Sequence, residues 1–295
     1  MSARLNICLI GFGEVGQILA ADLCAGAAEK LTAWDVLFPV EDSGPARAVA
    51  LSAARAAPNA AAAASHAELV ISAVTAARDI EATSAVAAGV APGAWFLDLN
   101  SVSPGVKRHA ARLIGERGAR FVEAAVMAPV PPKRLATAML LGGPHAAEFL
   151  PLARRLGFAG AQVFSHEIGR ASAAKMCRSV LVKGMEALLA ESLLAARSHG
   201  VDEAVLASMR DVLPATDWRA VARYMISRSL QHGVRRAEEM REVARTLAEA
   251  GVEPSMSLAC VERQEWAAQH RDAAGAATLE SMLDAILASE RERTQ

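Results

Sequence analysis

Apolar residues run almost unbroken through Leu5, Ile7, Cys8, Leu9 and Ile10. A run of that kind predicts a parallel strand buried on both faces. Similar short runs recur at Leu31–Val36, Leu69–Val74, Trp95–Leu99, 120–126, 137–142 and Ala161–Phe164. Between them lie stretches with helical spacing or helix-forming composition: an alanine-rich segment through Arg55 that Pro58 ends, Asp79–Ala88 closed by Gly89, and 104–117 after Pro104. Asn59–Ala64 reads as a short strand, although a run of alanines is a poor strand former. Strand and helix thus alternate as far as Ser165, which predicts a parallel sheet with helices on its faces. From 168 to 199 the apolar positions Cys177, Leu181, Gly184, Leu188 and Ala195 follow helical spacing, so this segment should be one long helix. Beyond Gly200 the pattern stays helical, with breaks expected near Pro214, Gly233 and Gly251–Pro254, and a final helix over 273–291 before a charged, solvated tail. The change of character predicts two domains, 1–165 and 166–295.

Composition narrows the class. Lys and Arg number 31 against 32 Asp and Glu in 295 residues, so no net field points to nucleic acid or an acidic membrane surface. The four cysteines, Cys8, Cys24, Cys177 and Cys260, show no metal-ligand spacing, and no metal is expected. They fit a reduced, cytoplasmic compartment. The opening MSARLNICLI enters a strand almost at once, so no leader is expected, and no run of about 18 apolar residues suggests a membrane span.

The first strand empties into Gly11-Phe12-Gly13-Glu14-Val15-Gly16. In a G-x-G-x-x-G turn the first glycine permits the bend, the second lets a pyrophosphate approach the backbone, and the third lets helix and strand pack closely. The helix start that follows supplies free N–H groups and partial positive charge. By itself the pattern is equally that of an ordinary turn; strand, helix and Asp35 together favour a nucleotide. Asp35 stands about 20 residues on, where an acid accepts hydrogen bonds from an adenosine ribose. The first domain is therefore read as a Rossmann-type dinucleotide-binding α/β fold, and the second as all-α. Asp35 repels a 2′-phosphate, so NAD is expected over NADP. Val74 closes the third clear strand and Thr75 follows it, and Asn100 follows the fourth, at the carboxyl ends where ligands sit in such sheets.

The order of these parts resembles the β-hydroxyacid dehydrogenases, the group of 3-hydroxyisobutyrate and 6-phosphogluconate dehydrogenases. The glycine turn is similar to theirs, Asn100-Ser101-Val102-Ser103-Pro104 to a loop they carry after a later strand, and Gly169 with Lys175 to their catalytic helix. EAAVMAPV, the Lys175–Ser179 segment and HGVRRAEEMREVA resemble a branch whose helical C-terminal domain has no assigned function. The resemblance implies hydride transfer between a nicotinamide and a carbinol carbon, with Lys175 as acid/base and Ser101 and Ser179 as further catalytic residues. A lysine can take the alcohol proton only if its ordinary pKa is lowered by burial or by cations. Arg178, one turn along, could lower it or hold a substrate anion.

Three departures bear on substrate. Ser179 stands where the family commonly has asparagine, and Met127-Ala128-Pro129 stands where it has a Ser-Gly-Gly loop that cradles a carboxylate. Pro129 has no N–H to offer. The family's C-terminal Lys-Asp pair falls near Glu238-Glu239, beside Arg235 and Arg236. The reading is an NAD-dependent dehydrogenase acting on a hydroxy acid or related alcohol and forming a homodimer on the long helix. The alternatives are a ketone or imine reductase and a non-catalytic dinucleotide-binding protein.

Overall fold

The computed structural model describes residues 5–26, 28–211, 214 and 216–294. Its strands are β1 (Leu5–Ile10), β2 (Ala28–Trp34), β3 (Arg55–Ala56), β4 (Leu69–Ser72), β5 (Trp95–Asp98), β6 (Arg120–Val126), β7 (Met139–Gly142) and β8 (Ala161–Ser165). They form one sheet in the order β3-β2-β1-β4-β5-β6-β7-β8. Strands β1 to β6 are parallel, β7 runs antiparallel to β6, and β8 pairs in parallel with β7. Helices α1 (Glu14–Gly26), α2 (Gly44–Ala50) and α6 (Ala146–Arg155) cover one face; α3 (Ala60–Ala64), α4 (Asp79–Ala87) and α5 (Pro104–Gly115) cover the other. Ile7 and Leu9 pack with Leu19, Leu23 and Phe149, whereas Cys8 and Ile10 pack with Ala63, Val86 and Ile114. Both faces being covered is why the strand reads as continuous apolar sequence rather than as alternation.

Helix α7 (Arg170–Ser198) follows, then α8 (Asp202–Ser208), α9 (Trp218–Glu249), α10 (Ser255–Ala268) and α11 (Leu279–Thr294). The chain separates into two compact units, Met1–Met176 and Cys177–Gln295. The division falls inside α7, because its start packs in the first unit, with Ala171 against Ala125 and Leu140. In the second unit Leu189 and Leu193 of α7, Trp218, Ile226 and Leu230 of α9, and Leu283 and Ile286 of α11 close a separate core. No helix among the described residues is long and apolar enough to cross a membrane.

Several local expectations are corrected. The alanine-rich helix stops at Ala50, and Arg55–Ala56 is instead the edge strand β3. Asn59–Ala64 is not a strand: the Asn59 side chain accepts from Ala62 N–H at 2.8 Å and caps α3. Alanine has the highest helix propensity, so a cap suffices to start the turn. Gly233 does not break a helix. It lies within α9, where a Cβ would come 2.4 Å from Gln264 O of α10, so the glycine permits close helix contact. The last helix begins at Leu279, after a tight turn over Arg271–Gly275, and continues through the charged residues to Thr294. The break expected near Pro214 falls where Val212, Leu213 and Ala215 lie outside the described residues.

Candidate active site

The glycine turn is built by contact. Gly11 has φ +93°, and a Cβ there would lie 2.4 Å from Ala73 O. A Cβ on Gly16 would lie 2.1 Å from Gly11 O, so only glycine lets α1 start so close to β1. Gly13 has nothing within 4 Å of a Cβ position, and it and Glu14 are exposed at the turn. That bare backbone ahead of a helix start is the shape a dinucleotide pyrophosphate requires. Asp35, just past β2, accepts Phe12 N–H at 2.7 Å on Oδ2 and Leu37 N–H at 2.8 Å on Oδ1. These bonds fix the carboxylate beside the turn and leave lone pairs for ribose hydroxyls. The Phe12 ring itself is buried against Phe38 at 5.8 Å, so this residue offers the turn only backbone. Val15 is half-buried and packs on the core beneath.

Asn100 lies two residues past β5, and its side chain is already committed. Its Oδ1 accepts Val74 N–H at 2.7 Å, and its Nδ2 donates to Ser72 Oγ at 2.9 Å and to Asp79 Oδ1. The amide thus braces the carboxyl ends of β4 and β5 and sets the course of Val74 and Thr75. Thr75 is exposed and precedes a short turn over Ala76–Arg78.

The next residue, Ser101, meets Lys175 across 74 positions of sequence: Lys175 Nζ donates to Ser101 Oγ at 2.6 Å. Lys175 is half-buried on the second turn of α7. Beneath this pair lies a buried triad that sequence reasoning missed. Asp98 and Glu123 are paired in register on β5 and β6, and Lys107 of α5 sits with them, each 0–1% exposed. Lys107 Nζ is 2.8 Å from Asp98 Oδ2 and donates to Asp98 O at 3.2 Å. Asp98 Oδ1 in turn accepts Asn100 N–H at 2.9 Å. Glu123 Oε2 accepts Gly169 N–H and Oε1 accepts Ala171 N–H, both at 2.7 Å, at the start of α7. Burial pushes the Glu123 carboxyl up, against the Lys107 charge and the α7 N–H groups, which pull it down. The available signal was one carboxylate among the apolar residues of each of two strands, WFLDL and RFVEAAV.

The anion-cradle loop after β6 has little to cradle with. Met127 N–H is spent on Ala138 O at 2.9 Å, Pro129 has none, and Ala128 and Pro129 are exposed. A cleft of about 400 Å³, lined by Asn6, Lys30, Arg55 and His66 among others, lies at the amino ends of β1 and β2, opposite the glycine turn.

In the second unit Ser179 is buried, its Oγ 3.5 Å from Lys183 Nζ, while Arg178 is exposed. Burial lowers the Lys183 pKa despite its 2.7 Å ion pair with Glu239. Arg235 bonds Glu239 at 2.6 Å and Arg236 bonds Glu186, so both arginines proposed from sequence are held in pairs within the helical unit. Asp202, Glu203 and Glu280 lie close enough to share a cation, but Arg197 and Arg219 already pair with them.

Residues 6–184 match the model of the NAD binding domain of 6-phosphogluconate dehydrogenase, and 196–267 match a domain of unknown function. The chain therefore belongs to the β-hydroxyacid dehydrogenase family, with a helical C-terminal region. It is similar to a conserved hypothetical protein of Sinorhizobium meliloti 1021, at 34% identity over 97% of this chain and 96% of that one, with a TM-score of 0.74. It is 26% identical over 207 residues to mitochondrial 3-hydroxyisobutyrate dehydrogenase of Drosophila melanogaster, covering 69% of this chain and 62% of that protein. The chain spans about three fifths of the length of the curated relatives it matches. A 3-hydroxyisobutyrate dehydrogenase of Mycobacterium tuberculosis, solved with L-serine, shares the fold at 17% identity, covering 97% of this chain and 99% of that one, with a TM-score of 0.70.

Proposed function

We propose that the protein is a nicotinamide-dependent oxidoreductase that moves a hydride between NAD and a hydroxy acid or related alcohol. The observation that carries this reading is the 2.6 Å contact of Lys175 Nζ with Ser101 Oγ, in the same unit as the glycine turn. A nicotinamide, when bound, accepts or returns the hydride. The chain's own residues handle the proton: as an alcohol is oxidised, its hydroxyl proton passes to the Lys175 amine, and in the reverse direction the ammonium returns it. Ser101 fixes the Nζ position, so the lysine need not search its rotamers during reaction.

Asp35 supports NAD over NADP, since its carboxylate stands where a 2′-phosphate would add like charge. The spent N–H of Met127 and the missing one of Pro129 support a substrate larger and less densely anionic than the three- and four-carbon β-hydroxy acids. Leu181, Met185 and Leu188 form an exposed stripe on α7 at 73%, 37% and 59% exposure, which supports burial against a second copy of the chain. The test is a screen of alcohols and hydroxy acids with both cofactors, following reduced nicotinamide by absorbance. Lys175→Ala should lose about 10²- to 10⁴-fold in kcat with cofactor affinity kept. A variant with full rate would remove Lys175 from the mechanism.

A further inference from the structure

The start of α7 is capped in an unusual way. A helix N-terminus is ordinarily satisfied by a Ser, Thr, Asp or Asn just ahead of it in sequence. Here the residue in that place is Gly169, at φ +98° and with no side chain. The acceptor comes instead from Glu123 on β6, 46 and 48 positions away from the two N–H groups it binds. The surroundings make room for it: a Cβ on Gly142 would lie 2.4 Å from Glu123 Oε1. Burying a carboxylate is a costly way to cap a helix, and a local serine would do so more cheaply. What Glu123 adds is location. Lys107 is ion-paired with Asp98 and its charge also acts on Glu123, and Asp98 holds Asn100 N–H at the base of the Ser101 loop. The same loop abuts the helix start directly, since a Cβ on Gly169 would come 3.1 Å from Pro104 Cβ. Both partners of the Lys175–Ser101 contact are therefore anchored to one buried group of charges.

We infer that Glu123 is a positioning residue for Lys175: its carboxylate seats the first turn of α7 and, through Lys107 and Asp98, ties that turn to the loop bearing Ser101. The inference rests on the proposed role of Lys175 for its effect on rate, but not for its effect on the lysine itself.

The test compares Glu123→Gln and Glu123→Asp with the wild-type chain. The first keeps one acceptor and removes the charge; the second keeps the charge and withdraws it by one methylene. Trinitrobenzenesulfonate labelling of Lys175 against pH, quantified by peptide mass spectrometry, reports the lysine without needing a substrate. Removing a negative charge beside a helix start disfavours the ammonium, so the labelling midpoint of Glu123→Gln should fall by about half a pH unit. Glu123→Asp should keep the midpoint, with faster hydrogen exchange at Gly169 and Ala171. With the substrate found by the screen, both variants should lose about 10- to 100-fold in kcat, with NAD affinity within about twofold. A wild-type midpoint and wild-type kcat in Glu123→Gln would overturn the inference. So would failure of both variants to fold or to bind NAD, which would make Glu123 a strut of the whole unit. If Lys175→Ala keeps full turnover, the acid/base reading fails while the labelling midpoint still decides the role of Glu123.

Discussion

Lys107→Met is the perturbation that best separates the buried charges from ordinary packing. Lys107 is 1% exposed, and its ammonium is the counter-charge for Asp98 at 2.8 Å and for the neighbouring Glu123. Methionine is similar in length and apolar, so the change removes the charge with little loss of volume. Breaking a buried pair by deleting one partner costs about 3–5 kcal/mol, because the carboxylate left behind has lost its compensation. Against a typical domain stability of about 5–15 kcal/mol this is a large fraction. At roughly 2–4 °C per kcal/mol for a unit of this size, the melting midpoint should fall by about 6–20 °C. The loss should depend on pH in a definite direction. Burial already raises the Glu123 pKa, and Lys107 is the first of the influences lowering it. Without Lys107 the folded-state pKa rises further above the unfolded value. A raised acid contributes stability that is fully present below its unfolded pKa and is lost as pH rises through its folded pKa. The deficit of Lys107→Met should therefore be greatest near neutrality and shrink towards pH 5, measured by thermal melts read by circular dichroism. Lys30→Met, at an exposed site, should melt within about 0.5 kcal/mol of wild type. A Lys107→Met midpoint within about 3 °C of wild type at pH 7 would refute the assignment of Lys107 as the essential counter-charge.

Asp35→Ala should weaken NAD about tenfold while leaving NADP unchanged or tighter, by fluorescence titration of both cofactors; wild-type protein that binds NADP as tightly as NAD would overturn the cofactor reading. Gly233→Ala should destabilise the helical unit by about 1–3 kcal/mol, because its Cβ would stand 2.4 Å from Gln264 O; an unchanged melt would show that α9 and α10 separate freely. His270 is buried, and burial lowers its pKa against the pull of Glu290, 2.9 Å away. Its neutral form is thus the folded one, so stability should fall as pH drops below about 6.5, and His270→Gln should flatten that slope in melts from pH 5 to 8. Sedimentation should show a dimer, and Leu181→Glu with Leu188→Glu should yield a monomer without loss of helix content.

How much of this was legible depended on whether a residue's partner lay nearby in sequence. The strands around β1, β4, β5 and β6 could be read because a sheet covered on both faces demands continuous apolar runs. The β3 and α3 region could not, since residues 57–64 are mostly alanine and carry no period; only the cap bond of Asn59 decided for helix. Gly233 was read as a break because glycine lowers helix propensity, whereas the deciding constraint was the approach of another helix. Lys175 and Ser101 were each suspected separately, but nothing local says that they touch. Arg235 looked like a substrate ligand until its position one turn before Glu239 produced an ion pair. Asp98, Lys107 and Glu123 were overlooked because each sits inside an element whose remaining pattern is ordinary.

The triad also changes how the stability of the first unit should be regarded. A strand pair bearing Leu at 98 and 123, with Met at 107, would satisfy the hydrophobic pattern and avoid the burial of three charges; such replacements are often neutral or stabilising. That apolar version would leave the Asn100 N–H without Asp98, and Gly169 and Ala171 without Glu123. Apolar contacts hold elements together without specifying register to a fraction of an ångström, whereas 2.7 Å bonds to a buried carboxylate do. The first unit therefore places its directional bonds at the carboxyl edge of β5 and at the start of α7, the two segments whose ends must meet for Lys175 to reach Ser101. A triple Asp98→Leu, Lys107→Met, Glu123→Leu variant gains by losing three buried charges but loses about 1–3 kcal/mol for each of the three N–H groups left unpaired, so it should stay folded, melting no higher than the wild-type chain, while turning over poorly. That separation of folding from rate is what a geometric role predicts. Loss of the fold along with the rate would mean that the charges serve the fold alone.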